Sequence, residues 1–232
     1  MNKDYLNLVE FWNNSLKLDE DSKLEFKASV NIDTDYKSLA PSIKQFELLE
    51  GFKVCKNVLD YGCGSGWASI IMAKSGAKQI DAVDVACNSK DMVNLYSDAF
   101  NVGDIINAHT IDEKWLSAQD DNKYDGFFCS NVIDVIPLDL AKDIVKQSAR
   151  VTTKEAKVVY SLNYYIDPKL MAQRGFSVDG PLVYIDGILR LNCLTDEEWS
   201  NIFRKYYKDV KLIYYSWPNE EKETRRLFIL SK

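Results

Sequence analysis

The stretch from Val58 to Trp67, VLDYGCGSGW, constrains the fold more than any other part of this 232-residue chain. It places Gly62, Gly64 and Gly66 at alternate positions directly after an apolar run, the pattern of a buried strand that turns sharply into a helix. Such a turn presents backbone N–H groups and the positive end of a helix with no side chains in the way. The pattern therefore predicts a binding site for a flat or anionic small molecule.

From residue 55 onward, short apolar runs alternate with amphipathic segments, which is typical of a parallel sheet covered by helices. Gly76 suits the end of the first helix, and Pro137 suits the start of the third. The predicted strands are 57–61, 79–85, 104–110, 124–130 and 156–164. The predicted crossover helices are 67–75, 88–101 and 137–150, with a loop at 111–123.

The part of the chain before this pattern is predicted to be helical, because apolar residues recur near helical spacing over residues 3–52. Pro41 suits a first helical turn, and Gly51 suits a C-cap. We therefore expect a helical N-terminal cap over residues 1–53 and a main domain over residues 54–232.

The chain departs from the alternating pattern after the fifth strand. Asp186 and Gly187 stand between two apolar runs, which is a strong hairpin signal, and we interpret about 166–193 as an insertion. Thr195, followed three residues later by Glu198, forms a capping box that starts another helix. An antiparallel strand pair is predicted at 209–217 and 225–231. Together these elements predict a Rossmann-like α/β fold: a doubly wound, seven-stranded, mostly parallel sheet with an antiparallel C-terminal strand and a helical N-terminal preface.

The composition excludes several classes of function. The net charge is −6, from 35 acidic and 29 basic residues, so a nucleic acid backbone would be repelled and no nucleic acid partner is expected. Five cysteines without a C-x-x-C pair suggest neither a disulfide framework nor a metal site. The sequence shows no signal peptide pattern and no run of 18 apolar residues. We therefore expect a cytoplasmic protein without a membrane partner.

Two residues next to the glycines limit the class of ligand that the loop can bind. A dinucleotide fingerprint would require glycine or alanine at position 67, where this chain has Trp67. Asp60, two residues before Gly62, would repel a pyrophosphate but would favour a ligand with an ammonium group. A nucleotide-dependent oxidoreductase of related topology is thus the disfavoured alternative.

Asp60, Gly62, Gly64 and Gly66 match, position by position, the acidic-x-Gly-x-Gly-x-Gly loop of the class I S-adenosylmethionine-dependent methyltransferases, which this chain resembles over roughly residues 55–165. The resemblance implies S-adenosylmethionine as the cofactor and S-adenosylhomocysteine as the product. It also implies a methyltransferase domain over residues 54–232.

The resemblance assigns further residues to the cofactor. Asp84, at the end of the second strand, would hold the ribose hydroxyls through short charge-assisted hydrogen bonds. Asp112 would lie near the adenine amino group, and Ser130 and Asn131 would lie beside the methionine end of the cofactor. The complete implied set is Asp60, Gly62, Cys63, Gly64, Gly66, Asp84, Val85, Ile111, Asp112, Ser130 and Asn131.

Several other residues invite a role in the site. Cys63 is expected to be a small filler that contributes its backbone N–H rather than a nucleophile. His109 suits a general base by its ordinary pKa, but its place within the third strand favours packing. Asp134 points either toward an acceptor pocket or caps the helix at Pro137.

Two aromatic sets are candidates for lining an acceptor pocket. Tyr5, Phe11 and Trp12 have the helical spacing of a core stripe, with a lid over the acceptor as the less favoured interpretation. A second set, better placed, comes from the end of the fifth strand and the hairpin: Tyr164, Tyr165 and Tyr184.

The implied reaction is an in-line displacement, for which the protein mainly positions the acceptor and excludes water. A base is needed only if the acceptor must lose a proton early, and the sequence identifies none, so the catalytic residues stay unassigned. An Asn-Pro-Pro-Tyr-like tetrad is absent at 130–133, which favours a small-molecule acceptor over a nucleic acid base. A module that binds the cofactor without turnover remains an alternative, and the oligomeric state stays open.

Overall fold

The computed structural model describes residues 3–17 and 19–232. Its main feature is a seven-stranded sheet with the order β3-β2-β1-β4-β5-β10-β9. The strands of this sheet are β1 (Asn57–Tyr61), β2 (Gln79–Asp84), β3 (Ile106–Thr110), β4 (Tyr124–Ser130), β5 (Thr152–Leu162), β9 (Asp209–Tyr215) and β10 (Arg225–Ser231). The order diverges between β1 and β4, so that the chain folds outward from the middle of the sheet in two directions.

The strands β1 to β5 pair in parallel, whereas β10 pairs antiparallel with both β5 and β9. The predicted Rossmann-like fold class is therefore confirmed. β1 and β4 have the predicted bounds. β5 begins four residues earlier than predicted, since Thr152 already pairs with Tyr124 of β4.

Helices cover both faces of the sheet and also form the N-terminal preface. They are α1 (Lys3–Ser15), α2 (Glu20–Ser29), α3 (Ile43–Glu50), α4 (Trp67–Ser75), α5 (Cys87–Ala99), α6 (Leu138–Val151), α7 (Pro168–Gln173) and α8 (Asp196–Phe203). Short 3₁₀ turns lie at 35–39, 51–54 and 116–118. None of the helices within 3–17 and 19–232 is long and apolar enough to cross a membrane.

The predicted helical preface is confirmed, but its capping details differ. The N-cap of α3 is Ser42, whose side chain accepts from the backbone N–H of Gln45, so Pro41 lies outside the helix. Gly51 is at the C-cap with φ −65°, and the chain continues as a 3₁₀ turn. Pro137 likewise occupies the N-cap of α6 rather than its first turn. The capping box of Thr195 is present as predicted.

The sheet separates two hydrophobic cores. One packs the sheet against α6 and α8, with Trp199 and Phe203 fully buried. The other packs it against α3, α4 and α5. Because both faces are covered, β1 is buried from Val58 to Tyr61, and ligands can reach only the edge where the parallel strands end.

A second, three-stranded sheet follows β5. It consists of β6 (Ser177–Asp179), β7 (Leu182–Ile185) and β8 (Ile188–Asn192). The predicted hairpin is confirmed, with left-handed φ at Asp186 and Gly187. α1 rests against β8, where the Arg190 guanidinium lies 4.2 Å from the Phe11 ring centre. The division into a cap, a main domain and an insertion at about 166–193 stays a prediction.

Candidate functional site

A cavity of about 310 Å³ opens at the carboxyl ends of β1, β2 and β4, under α1. This is the divergence point of the strand order, where open α/β sheets bind their ligands. Its lining includes eight of the predicted cofactor residues: Gly62, Cys63, Gly64, Asp84, Val85, Ile111, Ser130 and Asn131. The other three, Asp60, Gly66 and Asp112, lie outside the lining.

The three glycines of the loop serve different needs. All have left-handed backbone angles, with φ between 54° and 82°. A Cβ at Gly62 would stand 2.2 Å from Val132 Cγ2, and one at Gly66 would stand 2.8 Å from Val93 Cγ2. A Cβ at Gly64 would meet no described atom within 4 Å. Thus two glycines let neighbouring elements pack, while Gly64 keeps the space above the loop open.

The backbone N–H groups of the loop are largely used within the protein. Those of Gly62 and Cys63 both donate to the Val83 carbonyl, at 2.8 and 3.0 Å. Gly64 N–H donates to Asp84 Oδ2, and Gly66 N–H donates to the Cys63 carbonyl. The expectation that Cys63 offers its N–H to a ligand is therefore wrong. The loop is fastened to β2 instead of forming an anion cradle.

Asp84 lies at the tip of β2 with its carboxylate fixed. Oδ2 accepts from Gly64 N–H and Oδ1 from Ala86 N–H, each at 2.9 Å. Burial raises the pKa of this carboxyl, and the backbone N–H donors oppose the shift. A carboxylate offers about four lone-pair sites, so each oxygen retains one for a further donor. The geometry suits a pair of vicinal hydroxyls.

Asp60 lies beneath the loop, fully buried at the end of β1. Its Oδ2 accepts from the Ser69 hydroxyl at 2.6 Å, which ties β1 to α4. Burial, together with the nearby charge of Asp84, raises the pKa of Asp60 to about 7. Cys63 is also buried, and burial raises the pKa of its thiol well above the usual range, as expected of a filler rather than a nucleophile.

Two amide side chains on the cavity wall have buried oxygens without hydrogen-bond partners among the described residues. Asn131 has a left-handed φ of 53°, and its N–H donates to the Ser161 carbonyl, leaving Oδ1 unpaired. Gln45 Nε2 donates to Ser161 Oγ and Tyr215 OH, at 3.1 and 3.2 Å, leaving Oε1 unpaired. Unpaired buried oxygens are costly, and here they suit a ligand that carries an ammonium group.

Sequence reasoning missed Gln45, which no local motif marks. It belongs to α3, and its partners Ser161 and Tyr215 come from β5 and β9. Only the folded sheet brings these three residues together. The chain offers no contiguous signal that could have identified them.

The roof of the cavity is α1, which contributes Tyr5, Leu8 and Trp12. Phe11 of the predicted aromatic set lies outside the lining. Burial, with the charges of Glu113, Asp112 and Asp84, raises the pKa of Tyr5 to about 12. Tyr5 is buried in the core and Trp12 packs against it, as the favoured interpretation predicts, and both also line the cavity. A role as a lid over the acceptor stays a prediction.

The acidic residue in the loop after β3 that lines the cavity is one position further along than predicted. Asp112 is exposed, and its Oδ1 accepts from Lys114 N–H in a local turn. Glu113 lines the cavity instead. Glu113 therefore contributes to the cavity lining where Asp112 does not.

The remaining candidates lie elsewhere. His109 is exposed on β3, an edge strand, so the prediction that it packs is wrong. Asp134 is buried and neither caps α6 nor lines the cavity, because its Oδ2 accepts from both the N–H and Nδ2 of Asn163. The predicted second aromatic set, Tyr164, Tyr165 and Tyr184, lies outside the lining as well, and Tyr184 donates to Asp4.

A fixed carboxylate beside an open glycine loop, at the divergence point of a Rossmann-like sheet, defines a domain that binds a nucleoside-type small molecule. A family model described as a methyltransferase domain matches residues 33–165, more than half of the chain. The chain therefore belongs to this family, and the predicted membership of the class I S-adenosylmethionine-dependent methyltransferases is confirmed, with S-adenosylmethionine as the cofactor.

Known proteins agree with this assignment. The ubiquinone biosynthesis O-methyltransferase of Neisseria meningitidis is 29% identical over 106 residues, which are 46% of this chain and 43% of that protein. This chain thus matches less than half the length of that curated relative.

Two solved structures share the fold. The PH0226 protein of Pyrococcus horikoshii OT3 has a TM-score of 0.62 at 17% identity, covering 92% of this chain and 99% of that one. The 1,6-didemethyltoxoflavin-N1-methyltransferase of Burkholderia thailandensis, solved with 1,6-didemethyltoxoflavin and S-adenosylhomocysteine, has a TM-score of 0.59 at 13% identity, covering 85% and 80%.

The first and the middle glycine of the loop should respond differently to an added methyl group. We expect Gly62→Ala to lower the free energy of unfolding by about 2–4 kcal/mol, through left-handed strain and the clash with Val132. We expect Gly64→Ala to cost only about 1 kcal/mol, from strain alone. Urea unfolding of both variants measures the difference, and equal losses would contradict this account of the loop.

Stability should fall with pH through Asp60. The folded protein holds this proton up to about pH 7, whereas the unfolded chain releases it near pH 4. The free energy of unfolding therefore decreases as pH rises from 4 to 7. We expect the decrease in the wild type to exceed that in Asp60→Asn by about 1–4 kcal/mol. Parallel pH profiles for the two proteins would show that the buried carboxyl is not the source.

Proposed function

We propose that this protein transfers the methyl group of S-adenosylmethionine to a small-molecule acceptor held in the cavity under α1. The observation that carries the proposal is the Asp84 carboxylate, fixed by two backbone N–H groups beside the open space at Gly64. No rearrangement of the loop is needed before this carboxylate accepts two ribose hydroxyls. Such preorganisation reduces the cost of binding.

The lining fits the rest of the cofactor. Val85 and Ile111 offer apolar contacts for the adenine, and Glu113 offers an acceptor for its amino group. At the other end, the unpaired oxygens of Asn131 and Gln45 suit the ammonium group of the methionine part. The order of these residues along the edge of the sheet matches a ligand extended from β3 toward β5.

Gln45 can also serve a carboxylate. Its present partners, Ser161 Oγ and Tyr215 OH, are hydroxyls that accept or donate equally well. Turning the amide by 180° would turn the amine toward the cavity. One of the two hydroxyls would then donate to the amide oxygen, while the other donates within the Ser161–Tyr215 pair, whose oxygens lie 2.9 Å apart. In one orientation Gln45 would accept from the ammonium group of the methionine part, and in the other it would donate to its carboxylate.

Bound S-adenosylmethionine supplies a methyl group on a sulfonium leaving group, so the residues of the chain mainly orient the acceptor and exclude water. Tyr5, Leu8 and Trp12 of α1 line the cavity and reduce the part of it that is open to solvent. The charged side chains in the lining are the carboxylates of Asp84 and Glu113, within the described part of the chain. Both belong to the proposed adenosine end, and we assign no general base.

A small acceptor suits this covered cavity better than a macromolecule. The net charge of −6 disfavours a nucleic acid partner. One relative carries ubiquinone biosynthesis in its name, and one solved neighbour holds 1,6-didemethyltoxoflavin. α1 and α3 both contribute lining residues, so we propose that the cap of residues 1–53 works as one unit with the domain of residues 54–232 and its insertion at about 166–193.

The test of the proposal is the loss of cofactor affinity in Asp84→Asn. The amide offers one acceptor oxygen instead of two and turns its amine toward an N–H donor of the backbone. We expect the Kd for S-adenosylhomocysteine, measured by isothermal titration calorimetry, to rise at least about tenfold.

The matched control is Asp98→Asn, which removes the same charge from an exposed position on α5 and should leave the Kd unchanged. Equal affinity in Asp84→Asn and wild type would refute the site. Formation of S-adenosylhomocysteine from S-adenosylmethionine in the presence of an acceptor panel tests turnover. Binding without any acceptor-dependent product would favour a cofactor-binding module instead.

A further inference from the structure

Trp217 reaches the cavity from the side opposite the proposed ribose site. It follows β9, whereas Asp84 ends β2, and four strands lie between them in the sheet: β1, β4, β5 and β10. Both residues nevertheless line the same cavity. If Asp84 holds the ribose, the wall at Trp217 lies beyond the methionine end, where an acceptor has to approach.

The indole ring of Trp217 is held by a clamp. The Arg225 guanidinium lies 3.4 Å from the Trp217 ring centre and 5.5 Å from that of Tyr164. Glu220 accepts from Arg225 Nε and Nη2, at 2.9 and 2.7 Å, and Asn163 Oδ1 accepts from Nη1 at 2.8 Å. Glu220 also accepts from the backbone N–H of Trp217 at 2.9 Å. The ring is therefore oriented before any acceptor arrives.

The indole N–H of Trp217 lies close to the Tyr215 hydroxyl and favours the ionised form of that hydroxyl, which opposes the rise in its pKa that burial causes. This contact does not meet the distance and angle limits of a normal hydrogen bond, and the indole nitrogen has no other partner within residues 3–17 and 19–232. An unpaired buried donor costs about 1–3 kcal/mol, and phenylalanine would avoid that cost. What tryptophan adds is a larger flat surface toward the cavity.

The charges around this surface exclude anionic acceptors. Across the described residues, the cavity lining contains no Lys, Arg or His. The Arg225 guanidinium lies against the Trp217 ring and is neutralised by Glu220 at 2.7 Å. A carboxylate or phosphate on the acceptor would be desolvated without a cationic side chain in the lining to pair with it.

We propose that Trp217 determines acceptor specificity by stacking on an uncharged aromatic ring, and that Arg225 is the positioning residue that presets the indole. This inference rests on the proposed function and gives it a substrate class. Offset stacking contributes about 0.5–1.5 kcal/mol beyond the area buried, enough to distinguish an aromatic ring from a saturated one of similar shape.

The first experiment compares three probes on the wild-type complex with S-adenosylhomocysteine. The probes are 1-naphthol, decahydro-1-naphthol and 1-naphthoate, which separate aromaticity and charge on one skeleton. We expect 1-naphthol to bind at least about threefold more tightly than the saturated alcohol and at least about tenfold more tightly than the acid. Tighter binding of the acid, or no binding of 1-naphthol, would overturn the inference.

Variants then locate the contact. Trp217→Ala should weaken 1-naphthol binding about tenfold, and Trp217→Phe by about threefold or less without loss of stability. The matched control is Trp115→Phe, at a position outside the lining, which should leave the Kd for 1-naphthol unchanged. The Kd for S-adenosylhomocysteine should stay within about twofold throughout. Unchanged 1-naphthol binding in Trp217→Ala refutes the inference, whereas wild-type failure to bind S-adenosylhomocysteine refutes the proposed function.

A double-mutant cycle tests Arg225. Arg225→Lys keeps the charge but loses the planar stack and the fork of donors. We expect it to weaken 1-naphthol binding about threefold in the wild type and to have no further effect in Trp217→Ala. An equal effect in both backgrounds would show that Arg225 acts on the site by a route other than the indole.

Discussion

The site depends on the two hydrogen bonds that Asp84 accepts, from Gly64 N–H and Ala86 N–H. They join the loop after β1 to the end of β2 and use up polar groups that would otherwise face the ligand. Two of the left-handed glycines let Val132 and Val93 pack against the backbone of this loop. What remains free is one lone pair on each Asp84 oxygen and an open space, which together favour a ribose over a phosphate.

A second level of organisation comes from elements far apart in the chain. α1 covers the cavity, α3 brings Gln45, and the loop after β9 brings Trp217. The hydrogen bonds of Gln45 to Ser161 and Tyr215 connect the cap to the far half of the sheet. The methionine end of the cofactor, which needs hydrogen-bond acceptors, would thus lie next to the wall at Trp217, where the methyl acceptor would bind. The methyl group would pass from one to the other.

The sequence predicted what contiguous residues encode. The loop from Asp60 to Gly66, the tip of β2 and the hairpin at Asp186 each carry their signal within a few residues, and the fold follows from the alternation of strands and helices. The lining by Gln45 and Trp217 was not predictable, because it arises from strand order. Glu113 lines the cavity and Asp112 does not, since Asp112 is exposed and accepts from Lys114 N–H in its own turn. His109 was misjudged because an edge strand leaves one side open to solvent.

The central claim is that the cavity holds S-adenosylmethionine with its ribose on Asp84. A crystal structure of the complex with S-adenosylhomocysteine tests it most directly. The account predicts both ribose hydroxyls within about 3 Å of the Asp84 carboxylate, the adenine beside Ile111 and the amino-acid end near Asn131 and Gln45. A ligand bound outside this cavity, or in the reverse direction with its amino-acid end on Asp84, would contradict it.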